Sequence, residues 1–214
     1  MLRYWTAGES HGKTLIALVD GFPAGVTVDT EPINIELRRR QGGYGRGGRQ
    51  RIENDAVEIR TGIWRGTTLG SPIVLEVPNR DYKLERLDDL ARPRPGHGDL
   101  TGAVKFLGSI RGVLERASAR ETAARVAVGA LARQLLATVG ADIVSHVFAI
   151  GQVALPDPLA VTYEEARDIG ADAQLHCVDA EVEREMMTAI DRARDAGDTM
   201  GGAFEVIALS LIHI

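Results

Sequence analysis

The chain has 214 residues, 44% of them hydrophobic, a single cysteine and a formal net charge of −5. That content supports a real core and excludes a disordered tail, and a lone cysteine excludes a disulfide framework or a cysteine-based metal site. Neither a signal peptide nor a long apolar run is present, so the expected setting is soluble, reducing and cytoplasmic, away from any membrane.

Leu2 to Trp5 make an apolar opening that runs into Gly8-Glu9-Ser10-His11-Gly12, where glycines flank a hydroxyl and an imidazole and let the backbone approach a ligand closely. Residues 14–19 read as a strand, 20–25 as a turn, and 26–28 as the partner strand of a hairpin. Thr30 is placed to cap a helix with Ile33 and Leu37 on one face. It ends in Arg38-Arg39-Arg40 and is followed by Gly42-Gly43-Tyr44-Gly45-Arg46-Gly47-Gly48-Arg49. Strands are expected at 57–61 and 73–77. Ser118 and Glu121 match a capping box that opens a long helix to about Ala137, with Ala124, Val128, Leu131 and Leu135 as a core stripe. A strand over 142–150, a capped helix from Thr162, a longer helix over 179–196 and a strand over 202–208 complete the pattern. It reads as a single α+β domain of antiparallel sheet and helices.

Two motifs fail on context. Gly8 to Thr14 looks like a phosphate-cradling loop but has three residues between its glycines instead of four, and a strand follows where a helix is required. Gly43-Tyr44-Gly45-Arg46-Gly47-Gly48 fits the dinucleotide fingerprint by letter but follows a helix, so no nucleotide-binding βαβ unit surrounds it. Charge is uneven: residues 157–205 hold 13 acidic and 4 basic side chains, leaving 21 basic and 17 acidic elsewhere. An anion site therefore belongs to the first part of the chain. Tyr44 among arginines admits a nucleic-acid reading, but the run is short and the rest acidic, which favours a small anion held by guanidinium forks.

A second glycine-flanked histidine lies in Arg92-Pro93-Arg94-Pro95-Gly96-His97-Gly98-Asp99. Arg116-Ala117-Ser118 precedes a helix start, where free N–H groups and a guanidinium suit phosphate; Ser118 could equally be a cap alone. His146, His176 and His213 have no comparable setting and take structural roles, and no histidine–carboxylate spacing suggests a metal.

Five stretches together resemble the chorismate synthase family: residues 6–12, 38–49, 92–97, 115–122 and 197–202, in the family's order and spacing. The resemblance implies a β-α-β sandwich, antiparallel sheets with helices between, of which residues 1–208 would form the N-terminal, incomplete portion and 209–214 a non-native tail. It implies a lyase of the shikimate pathway that makes chorismate by anti-1,4-elimination of phosphate from 5-enolpyruvylshikimate 3-phosphate. Reduced FMN is required without net redox change, and the complete enzyme is a cytoplasmic homotetramer. His11 would protonate or stabilise the reduced flavin, and His97 would act as general acid toward the departing phosphate. Ser10, Arg49, Arg94 and Arg120 would bind substrate, Arg116, Ala117 and Ser118 the flavin, and Arg40 and Arg46 match NADPH positions of members that reduce their own flavin. Ala117 stands where serine is usual, and the family's C-terminal portion, with a catalytic aspartate, has no counterpart. A non-catalytic module that keeps the arginine pocket is the alternative.

Overall fold

The computed structural model describes residues 1–45, 52–170 and 172–210. They form two compact units, one of residues 1–40 and 52–134, the other of 41–45, 135–170 and 172–210.

The first unit is built on a four-stranded antiparallel sheet of β1 (Arg3–Gly8), β2 (Thr14–Asp20), β3 (Glu58–Thr61) and β6 (Ile73–Pro78), in the order β1-β2-β6-β3. The period-two alternation of β2 puts Leu15, Ala17 and Val19 opposite Val77, Leu75 and Ile73 of β6, and all six are buried. The expected hairpin partner of β2 is corrected: β2 pairs with β1 and β6, while Val26 and Val28 bond across to Thr68 and Gly66 near the two-stranded β4 (Ile63–Trp64) and β5 (Thr67–Thr68).

Helix α1 (Thr30–Gln41) buries Ile33 and Leu37. Its cap is Asp29, which accepts from the Glu31 amide at 3.0 Å, and not Thr30. Helix α4 (Thr122–Ala137) buries Ala124, Val128 and Leu131 of the expected stripe, while Leu135, in its last turn, is only half-buried. The two helices run antiparallel, because Arg40 bonds to Thr122 at one end, Arg133 to Glu36, and Gln134 to Asp29 at the other. The Ser118–Glu121 capping box does not form. Ser118 instead caps a short 3-10 turn, Ala119–Glu121, and the Glu121 carboxylate turns to Thr6 and Arg125. Helices α2 (Asp99–Phe106) and α3 (Ile110–Arg116), absent from the sequence reading, form a hairpin around the left-handed Leu107. A Cβ on Gly102 would lie 2.3 Å from a Val113 methyl, so only glycine permits this approach.

The second unit has a three-stranded antiparallel sheet ordered β8 (Val153–Ala154), β7 (Asp142–Ile150), β9 (Gly202–Leu209), with α5 (Tyr163–Arg167) and α6 (Ala180–Asp195). The capping box predicted at Thr162 and Glu165 is formed. Leu155, Cys177 and Met186 centre its core, packed by Val147, Phe148 and Val182. The buried Glu183 carboxylate accepts from the backbone amides of Gln174, Leu175 and Cys177. Tyr44 belongs to this unit, its hydroxyl donating to Asp191 at 2.6 Å and its amide to the Gln174 carbonyl. No helix among the described residues is long and apolar enough to cross a membrane.

Candidate functional site

The reversal from β1 to β2 carries Ser10 and His11, and it starts at Gly8 with φ +102°, where a Cβ would meet the Thr14 carbonyl at 2.4 Å. Asn79, just past β6, holds this turn: its side-chain amide donates to the carbonyls of Glu9, Ser10 and Gly12 at 3.1, 3.2 and 2.8 Å. On the other side α3 supplies Glu115. Its backbone carbonyl accepts from the Ser10 amide at 3.0 Å, and its buried carboxylate accepts from the His11 amide at 2.8 Å and meets ring Nδ1 at 2.9 and 3.0 Å. His11 Nε2 faces Asp81 at 3.8 Å, with Lys83 Nζ 3.0 Å from the same carboxylate.

Below the turn lies a buried charged cluster. Arg120 donates from Nε to Asn79 at 2.7 Å and from Nη1 to Asp55 at 2.5 and 2.6 Å, with Glu53 at 3.8 Å. Arg40 reaches the same Asp55 at 3.4 Å and bonds to Thr122 and to the Ala119 carbonyl. Buried charges persist only when paired in this way. Ser10, His11, Arg40 and Arg120 thus sit in one hydrogen-bonded network.

Arg116 closes α3, and its Nη2 donates to the Thr6 carbonyl and hydroxyl, both at 2.9 Å, with the side chain 42% exposed. Ala117 is the C-cap residue of α3, and Ser118 accepts from the Arg120 amide. The loop before α2 comes alongside, since a Cβ on Gly98 would lie 4.0 Å from the Ala117 Cβ. In that loop His97 is exposed and meets the Pro95 carbonyl through Nδ1 at 3.2 Å. Arg94 forks onto Asp99 at 2.9 and 3.1 Å, and this guanidinium, with the Arg94 amide, lowers the Asp99 carboxyl to about 2. Between α2 and α3 runs a largely apolar groove of about 560 Å³, lined by Gly98, Gly102, Phe106, Val113 and Ala117, with Lys105 and Arg116 also in its lining. Arg46 and Arg49 lie outside the described residues, as does His213. His146 is buried in β7, 3.1 Å from Glu205.

The sequence reading missed the carboxylates and the amide that hold this site: Glu115, Asp55, Asp81, Asp99 and Asn79. Glu115 and Asp99 sit inside quoted motifs and offered a positional hint. Asp55 and Asn79 offered none, because their partners are brought near only by the fold.

A family model described as chorismate synthase matches residues 2–213. A chorismate synthase of Alkaliphilus metalliredigens is 49% identical over 96% of this chain and 57% of its own length. A protein named chorismate synthase 2 of Bacillus cereus is 48% identical over 97% of the chain and 57% of its own length. A crystal structure of a chorismate synthase superposes with a TM-score of 0.78 at 41% identity, covering 97% of this chain and 57% of that one. The α+β arrangement of antiparallel sheets and helices is thus the one found in that structure, and the chain spans a little over half the length of the relatives it matches. By sequence and by fold, it belongs to the chorismate synthase family.

Proposed function

We propose that this chain supplies the N-terminal portion of a chorismate synthase, a lyase that eliminates phosphate from 5-enolpyruvylshikimate 3-phosphate to give chorismate. The observation that carries the reading is the convergence of the candidate residues: Ser10, His11, Arg40 and Arg120 share one network, and the His97 loop adjoins Ala117. The groove between α2 and α3 fits a flavin, with an apolar lining for a planar ring and Lys105 and Arg116 for its phosphate. Reduced FMN would supply transient electron donation there, with no net redox change in the elimination, and Lys105, Arg116 and the Ala117–Ser118 segment would hold it.

The chain's own residues then divide the work. His97, exposed on its loop, gives a proton to the departing phosphate oxygen as the C–O bond breaks, while Arg94 keeps phosphate oriented; the C–H bond broken at the other terminus of the 1,4-elimination leaves its electron pair in the new diene, and its proton would pass to a base in the part of the enzyme that these residues do not supply. His11 protonates or stabilises the reduced flavin, and Arg120, held by Asn79 and Asp55, is the substrate-binding guanidinium of this network. Arg49 binds the substrate's anionic groups, and Arg40 and Arg46 bind NADPH where the complete protein reduces its own flavin. The complete enzyme is a cytoplasmic homotetramer.

The test is phosphate release with reduced FMN by a chain extended to the relatives' full length. His97→Ala should lower turnover by ~10²–10⁴-fold while substrate affinity stays near wild type. Substrate binding without phosphate release would leave only an anion-binding module.

A further inference from the structure

We propose that Glu115 is the positioning residue of His11: it fixes the ring as the Nδ1–H tautomer and thereby makes Nε2 the atom that exchanges protons in the site. The inference rests on His11 having a role in the reaction proposed above.

Glu115 is 1% exposed, at a depth where an acidic side chain is rare unless partnered. Its partners select the anion. Oε2 accepts the His11 amide proton at 2.8 Å, and Arg111 Nη1 lies 3.5 Å from Oε1. An ionised carboxylate has no proton to give, so a contact of 2.9 Å to Nδ1 requires the proton to be on the ring. Once Nδ1 carries it, neutral His11 presents the Nε2 lone pair, on the side of Asp81 and Lys83. The same carboxylate holds the main chain and the ring of one residue, so the imidazole plane is set by the backbone turn. Asn79 fixes that turn from the opposite side through three carbonyls. Glu115 touches neither groove nor solvent, which separates positioning from direct participation.

The experiment is imidazole nitrogen NMR of the chain near neutral pH, without flavin or substrate, with His11→Gln to assign the signal. Neutral His11 should be the Nδ1–H tautomer in the wild type. Glu115→Gln, whose amide oxygen still accepts, should retain it, and Glu115→Leu, which removes the acceptor, should lose it in favour of Nε2–H. An Nε2–H tautomer in the wild type, or Nδ1–H persisting in a folded Glu115→Leu chain, overturns the proposal. If Glu115→Leu does not fold, the wild-type tautomer still decides. The spectra need no turnover, so a chain that failed to make chorismate would leave this result standing on its own.

Discussion

The turn carrying His11 and the loop carrying His97 present the same short motif, a histidine against glycine, in two different mechanical settings. The first is held from both sides, by Asn79 on its carbonyls and Glu115 on its amides, above an ion cluster excluded from water. The second is tied down mainly at its edge, by the Arg94–Asp99 fork, and leaves its imidazole in solvent. A group that must present one nitrogen in one direction benefits from the first setting. A group that must follow a leaving phosphate benefits from the second.

Four measurements break or sharpen this contrast. The largest effect should come from Arg120→Met, which takes from the buried Asp55 carboxylate the guanidinium bound to both its oxygens and leaves Arg40 at 3.4 Å; a loss of about 3–5 kcal/mol in urea unfolding is expected. A loss below about 1 kcal/mol would mean that the ion cluster does not support the His11 turn. Gly8→Ala should cost about 1–3 kcal/mol, because the new Cβ meets the Thr14 carbonyl and the backbone must keep a positive φ. The third concerns acid. Asp99 is lowered in the folded chain, so its contribution is present above the ordinary value of 3.8 and is lost as pH falls toward about 2. The urea midpoint of the wild type should exceed that of Asp99→Asn at pH 5 and converge with it by pH 2. The smallest effect belongs to His97→Ala, which should leave stability within about 0.5 kcal/mol. A larger change would show that the loop holds more structure than its exposed ring implies.

Local signals in the sequence carried local structure well and failed where distant residues decided. Helix α6, strand β7 and the Thr162 cap are legible because periodicity and capping act within a few residues. The mistaken hairpin at 26–28 shows the reverse: β2 had two other strands to pair with, one of them more than fifty residues away in sequence. Glycines at 98, 102, 108 and 112 hid α2 and α3; at Gly102 the low propensity is overridden by close packing of the two helices. The arginines of the site were visible as a charge excess. The carboxylates that hold Arg120 and Arg94 were not, because Asp55 pairs across 65 residues and Asp99 looks like an ordinary helix-opening residue.

The burial of Cys177 turns the chain's only thiol into a clock for its own unit. Burial raises its pKa, with the Glu183 and Asp179 carboxylates adding to the shift, so little thiolate exists and reagent has almost no access while the core of Leu155 and Met186 is closed. Modification by an aromatic disulfide must then wait for that core to open, and when reclosing is faster than labelling, the rate reads the free energy of opening. With no second cysteine to confuse the signal, an absorbance trace on the unmodified sequence would time the breathing of this part of the protein.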